Sequence, residues 1–401
     1  MNTILRWVRD NDQSSSILWL YGPAGAGKSA IAQTVAEHCA KDRRLASSFF
    51  FSRNGRTDGK KLFLTIAYQL AISVPQTRKP IGDLVKKDLS ILAKSMDVQL
   101  RELIVGPYQT ITSINLSPMI VIIDGVDECE GSQVQRDILT LIGNTLTMHQ
   151  LPLRFFVASR PEPHIRDTMD SAIFRHISRR LVLDESFWPG RDIQTFLQSG
   201  FAAIHTKHHH VMASVPKPWP SPGIIDLLVQ KSSGQFIYAS TVLKYIDDEY
   251  SRPTARLDTV LGLSGSNSTA FAELDLLYMQ ILSTNPNTAS LLHVLATIVT
   301  LSHPLPARDI EKLLFLQRGD VALALRGVHS LLHIPNPITD ASSPILTLHA
   351  SLSDFLGDKS RSKHFFIDFA AHHAHLACCC LKTMTGSGSG NASMYVLLGT
   401  V

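Results

Sequence analysis

Residues 22–29 read Gly-Pro-Ala-Gly-Ala-Gly-Lys-Ser, the full G-x-x-x-x-G-K-[ST] pattern of a phosphate-binding loop. The flanks constrain the fold further. Residues 16–21, Ser-Ile-Leu-Trp-Leu-Tyr, read as a buried strand. The segment from Lys28 to about Cys39 reads as a helix with Ile31 and Val35 on one face. Strand, loop and helix in that order turn backbone N–H groups and the positive helix end toward a phosphate together. Gly22, Pro23, Ala24, Gly25, Ala26 and Gly27 form the cradle, and Ala30 continues it into the helix. Lys28 is the candidate for the β- and γ-phosphates, and Ser29 the candidate for Mg²⁺.

A second motif completes a nucleotide site. Ile120-Val121-Ile122-Ile123 is an apolar strand that ends in Asp124. A strand of this kind next to the strand of the phosphate loop would deliver Asp124 to the metal side of a nucleotide. Asp127 and Glu128 follow and are candidates to orient or activate the attacking water, with Glu128 preferred by position. An acidic loop capping a helix is the plainer alternative for these three residues. A later strand, 153–158, runs into Ser159 and Arg160. Arg160 is a candidate sensor of the γ-phosphate; the alternative is a surface arginine before a helix that starts at Pro161.

Further strands are expected at 46–52, 118–123 and 180–183, with helices at 60–71 and 133–148 and helical stretches continuing to about residue 104. Strands that are apolar on both faces and alternate with helices imply a parallel sheet covered by helices. After about Asp184 helical signals dominate, with a stiff Pro-rich connector at 216–222. Helical segments are expected at 224–247, interrupted at Gly234, and at 270–282. A small mixed segment follows over 287–356, with a strand at 345–348.

Composition adds exclusions. The 401 residues are 44% hydrophobic and 18% charged, enough apolar material for packed cores. The net charge of +4 gives no support for nucleic acid as a partner. Five cysteines, three of them at 378–380, form no disulfide framework and fit a reducing compartment. The N-terminus shows no signal peptide, and no apolar run is long enough to span a membrane. A cytoplasmic protein without membrane partners is expected. The histidines at 208–210, and those at 364, 372, 373 and 375 with Cys378–Cys380, match no compact zinc spacing. Phe365, Phe366, Phe369, Leu376 and Leu381 instead read as the apolar face of a helix whose cysteines pack.

Taken together, the chain resembles the NACHT-type NTPases of the STAND class, and most of all the fungal NOD-like receptors. The residues that carry the resemblance are Gly22–Ser29, Ser48-Phe49-Phe50-Phe51-Ser52-Arg53, Ile66-Ala67-Tyr68-Gln69-Leu70 and Ile123-Asp124-Gly125-Val126-Asp127-Glu128-Cys129. Ser159-Arg160-Pro161-Glu162, residues 233–241, Leu274–Tyr278 and residues 348–356 continue it. The resemblance implies an α/β P-loop NTPase domain with a parallel sheet, then a small helical domain and a winged-helix domain. The expected bounds are 1–185, 186–285 and 286–356, with a helical and flexible tail at 357–401.

The implied activity is a signal-transduction switch, off with ADP and on with ATP and Mg²⁺, resetting by slow NTP hydrolysis. ATP is preferred over GTP because no guanine-reading Asn-Lys-x-Asp segment occurs. Homo-oligomers of the NTP state and a role in innate immunity or regulated cell death are also implied. His349 matches the winged-helix histidine that contacts ADP phosphates in related switches; a packed histidine is the alternative. Leu352 and Ser353 depart from the fungal pattern, which has Phe and Arg there. The effector and sensor modules of the family are expected to be missing here, or the chain to be a fragment. A conventional P-loop ATPase or a nucleotide-binding scaffold remains the alternative function.

Overall fold

The computed structural model describes residues 1–10, 15–53, 55–110, 118–183, 189–263, 271–336 and 340–386. Two compact units divide the chain, Met1–Ser186 and Phe187–Val401.

The first unit is built on five strands: β1 (Ile17–Tyr21), β2 (Leu45–Phe50), β3 (Met119–Asp124), β4 (Leu153–Ser159) and β5 (Ser178–Val182). They run parallel in the order β2-β3-β4-β1-β5. This corrects the expected neighbourhood of the two motif strands. β3 does not border β1; β4 lies between them and pairs with both. The reason is topological: each parallel crossover leaves strand order open, and local sequence does not fix it.

The register brings the strand ends to one edge of the sheet. Tyr21 pairs with Ser159 and Val182, Asp124 with Ala158, and Phe50 with Asp124. Alternation along each strand then divides the side chains between two layers. Leu18, Leu20, Ile120, Ile122, Phe156 and Ala158 pack against α1 (Asn2–Arg9) and α2 (Lys28–Lys41). Ile17, Trp19, Val121, Ile123, Phe155 and Val157 pack in the opposite layer with α3 (Lys61–Ser73) and the helix Ser132–Met148. Burial on both faces explains why the inner strand β3 is apolar up to Asp124, whereas the edge strand β5 keeps Arg179 and Arg180 exposed.

In α2, Ala32, Val35, Ala36 and Cys39 are spaced i, i+3, i+4, i+7 and form the buried stripe. The helix begins at Gly27, whose φ of 85° lies in the left-handed region. A side chain on Gly22 would meet the Leu183 carbonyl oxygen at 2.8 Å. The loop is therefore glycine-rich for two separate reasons, backbone angle at Gly27 and space at Gly22.

The second unit is mainly helical. Ser233 and Gly234, with φ of 47° and 76°, break the helices Pro222–Ser232 and Phe236–Ile246 apart. Two-residue strands β6 (Leu332–His333) and β7 (Leu346–Thr347) form an antiparallel ladder. One core runs from Ile193 to Cys380 and joins residues on both sides of positions 285 and 356. The helix Phe369–Gly386 contributes Leu376, Cys379 and Cys380 to it, whereas Leu381 is exposed, against the expected apolar face. Residues 387–401 lie outside the described residues. No helix among the described residues is long and apolar enough to cross a membrane.

Candidate functional site

The carboxyl edge of the sheet gathers the polar residues of the first unit. The hydroxyl of Ser29, on the first turn of α2, lies beside Asp124 at the end of β3. Asp124 is 4% exposed. Burial pushes its carboxyl up to about 6, and the neighbouring Ser29 hydroxyl opposes that rise only in part. Asp124 and Ser29 are hard oxygen donors, the kind that Mg²⁺ takes alongside water, so the donor set fits that ion.

Lys28 donates to the carbonyl oxygens of Gly22 at 2.8 Å and Pro23 at 2.7 Å. Burial holds its ammonium below the ordinary lysine pKa, while Asp127, Asp124 and Glu128 pull the other way and Arg160 adds to the lowering. One lysine thus faces three acids and one arginine. Glycine at 125 permits the turn into the acids: its φ is 71°, and a side chain there would meet the Phe51 carbonyl oxygen at 3.1 Å.

Asp127 is held from β4. Its Oδ1 accepts the backbone N–H of Arg160 at 2.8 Å, and its Oδ2 lies 3.3 Å from the Arg160 Nε. Both side chains are largely buried, so the pair is not a surface contact. The helix after β4 starts at Pro163 rather than Pro161. Glu128 accepts the N–H of Arg53 at 3.1 Å. Burial, then the Asp127 charge, raise its carboxyl above the usual range, against that hydrogen bond. Beneath the site, Trp19 donates from Nε1 to the Ser159 hydroxyl at 2.9 Å, tying β1 to β4.

The structure therefore brings Lys28, Ser29, Asp124, Asp127, Glu128 and Arg160 together. His349 belongs to the second unit. Its Nδ1 accepts the N–H of Ser351 at 3.0 Å and lies 2.7 Å from the Ser351 hydroxyl, which also meets the Tyr278 hydroxyl at 2.8 Å. His349 thereby takes up the first N–H of the helix Ser351–Leu356, whose N-cap is Ala350.

Two residues went unread in the sequence. Gln135 bonds the backbone of the acidic turn, and His164 bonds Gln135. A signal existed for Gln135: with Ile138, Leu139 and Ile142 it occupies the buried stripe of its helix, where a polar side chain needs a partner. Elsewhere, His208 bonds Asp247 at 2.7 Å and is nearly buried, while His209 and His210 are exposed. The rings of His293, His372 and His375 stand 5.5–6.2 Å apart. Among the described residues no group of three or more His, Cys, Asp or Glu is arranged to hold a metal ion.

The family model of the N-terminal domain of nephrocystin 3 matches residues 2–160, a span from α1 to Arg160 that includes the phosphate loop and the acidic motif. The chain carries a P-loop NTPase domain. No curated protein matches this P-loop chain. Solved structures similar to it include the Aeropyrum pernix ORC1 protein in complex with DNA, at 13% identity over 88% of each chain with a TM-score of 0.39. Drosophila ORC bound to DNA matches at 11% identity over 92% of this chain and 95% of that one, with a TM-score of 0.40. Cdc6p from Pyrobaculum aerophilum matches at 11% identity over 94% and 90%, with a TM-score of 0.35. Two of these three proteins were solved on DNA, and the exclusion of nucleic acid drawn above is accordingly withdrawn. Net charge sums over the whole surface and does not register how basic residues are grouped on it.

Proposed function

We propose that this chain is a nucleotide-dependent switch of the NACHT type that binds ATP or ADP with Mg²⁺ and hydrolyses ATP slowly. The observation that carries the reading is Lys28 set among Asp124, Asp127 and Glu128, with the Ser29 hydroxyl beside Asp124. A loop hydroxyl and a strand-end carboxylate side by side form the natural pair for one Mg²⁺ beside a phosphate chain. Bound Mg²⁺ would neutralise charge on the phosphate oxygens. Lys28 would leave the carbonyls of Gly22 and Pro23 and turn to the phosphates. Glu128, with its raised pKa, suits a proton acceptor for water, and Arg160 suits the sensing of the terminal phosphate. The resemblance at 233–241 and 348–356 supports the switch over a turnover enzyme.

The test uses the whole chain. Nucleotide that co-purifies is extracted and identified, and ATP and ADP affinities and ATP turnover are measured with and without Mg²⁺. Bound ADP or ATP, turnover well below 1 s⁻¹, and affinity weakened by about ten- to a hundredfold in Lys28→Ala support the proposal. Turnover on the order of 1–100 s⁻¹ would replace the switch by a conventional ATPase. No binding of either nucleotide would overturn both.

A further inference from the structure

Gln135 lies in the first turn of the helix Ser132–Met148 and is 6% exposed. Its Nε2 donates to the carbonyl oxygens of Cys129 at 2.6 Å and Asp127 at 3.4 Å, the two residues that flank Glu128. Carbonyls only accept, so this orientation of the amide is fixed and Oε1 is left as an acceptor. The Nε2 of His164 stands 2.6 Å from that Oε1. It must therefore carry a proton and donate it.

His164 is the second residue of the helix Pro163–Asp170, four residues beyond Arg160. Arg160 in turn binds Asp127 through both its amide and its guanidinium. The contacts close into a ring. It runs from Asp127 to Arg160, along the chain to His164, across to Gln135, and back to the backbone of Asp127 and Cys129. Among these contacts, the two polar links from Gln135 and His164 are the ones that join the acidic turn to the helix after β4.

We infer that Gln135 and His164 are positioning residues that clamp the Asp127–Glu128 turn to the end of β4, so that the acids and Arg160 move as one body during hydrolysis. The inference rests on the hydrolytic reading of the site for its effect on turnover. The clamp itself rests on the contacts above. Neither residue needs to touch nucleotide, so ground-state binding is left alone and the placement of Glu128 is what suffers when the clamp is cut.

Three variants of the full chain test this: His164→Phe, which keeps a ring but has no donor; His164→Gln, which restores an amide donor; and Gln135→Leu. Hydrogen exchange at the Arg160 amide reports the clamp directly, because that amide donates to Asp127. ATP affinity and turnover report its use. His164→Phe and Gln135→Leu should each speed exchange at Arg160 by about tenfold. They should lower turnover by about tenfold or more while ATP affinity stays within about twofold. His164→Gln should recover most of both losses.

Unchanged exchange and turnover in His164→Phe would overturn the clamp. A parallel fall in affinity and turnover that His164→Gln fails to rescue would also overturn it, since that is the mark of general loosening. If the unmodified chain binds nucleotide but shows no turnover, the hydrolytic reading fails, and exchange at Arg160 still decides for or against the clamp.

Discussion

Arg160 grips Asp127 twice, by its backbone N–H at 2.8 Å and by its guanidinium at 3.3 Å. A single residue at the tip of β4 thus fixes the acid that precedes Glu128. Breaking a largely buried ion pair strands one charge. Arg160→Ala should destabilise the first unit by about 2–4 kcal/mol, read from denaturant unfolding. Asp127→Asn in the same chain should recover part of that loss, and a double-mutant cycle measures the coupling. Additive effects of the two changes would mean the contact carries no energy of its own.

Asp124 sets a pH dependence. Its carboxyl is raised to about 6 in the folded chain, from an ordinary 3.8. The folded state therefore holds the proton more tightly than the unfolded one. The stabilising contribution is fully present below pH 3.8 and is lost as pH rises to about 6. Above that, a buried carboxylate remains and disfavours the nucleotide-free fold. Asp124→Asn should then raise the stability of the ligand-free protein at pH 7 by about 1–3 kcal/mol, with the difference vanishing below about pH 4. Thermal unfolding of both proteins from pH 4 to 8 checks this. The same substitution should remove the Mg²⁺ dependence of nucleotide affinity.

Trp19 and Ser159 are 1% and 0% exposed, and the indole donates to the hydroxyl at 2.9 Å. Ser159→Ala orphans a buried N–H. The expected loss is about 1–3 kcal/mol in urea unfolding. Replacing Trp19 by Phe as well should cost no more than the Trp19→Phe change alone, because the donor has then gone.

His349 holds the start of the helix Ser351–Leu356 through its Nδ1. His349→Ala should lower the stability of the second unit by about 1 kcal/mol, the ordinary net worth of a hydrogen bond. His349→Asn, with a side-chain oxygen in reach, should keep most of it. Equal loss in the two variants would assign the effect to packing.

Much of this was legible in the chain. The phosphate loop, the apolar strands and the carboxylate at the end of β3 announce themselves because glycine angles, two-sided burial and strand ends leave local marks. Strand order left none, since a helix crossover can set its next strand beside its predecessor or one place beyond. The placing of β4 between β1 and β3 had to be seen. Gln135 and His164 were hidden for another reason. They stand 29 positions apart, and their meeting depends on how two helices leave the sheet. The Asp127–Arg160 pair, 33 positions apart, was equally out of reach, although both residues were candidates singly.

Because β4 borders both β1 and β3, its last residues adjoin the phosphate loop on one side and the acidic turn on the other. Ser159 and Arg160 are thus where the two loops share a neighbour. The tip is a shared abutment: Trp19 bonds it from β1 and Asp127 from the acidic turn. A change at either loop therefore meets Ser159 and Arg160 among its first neighbours.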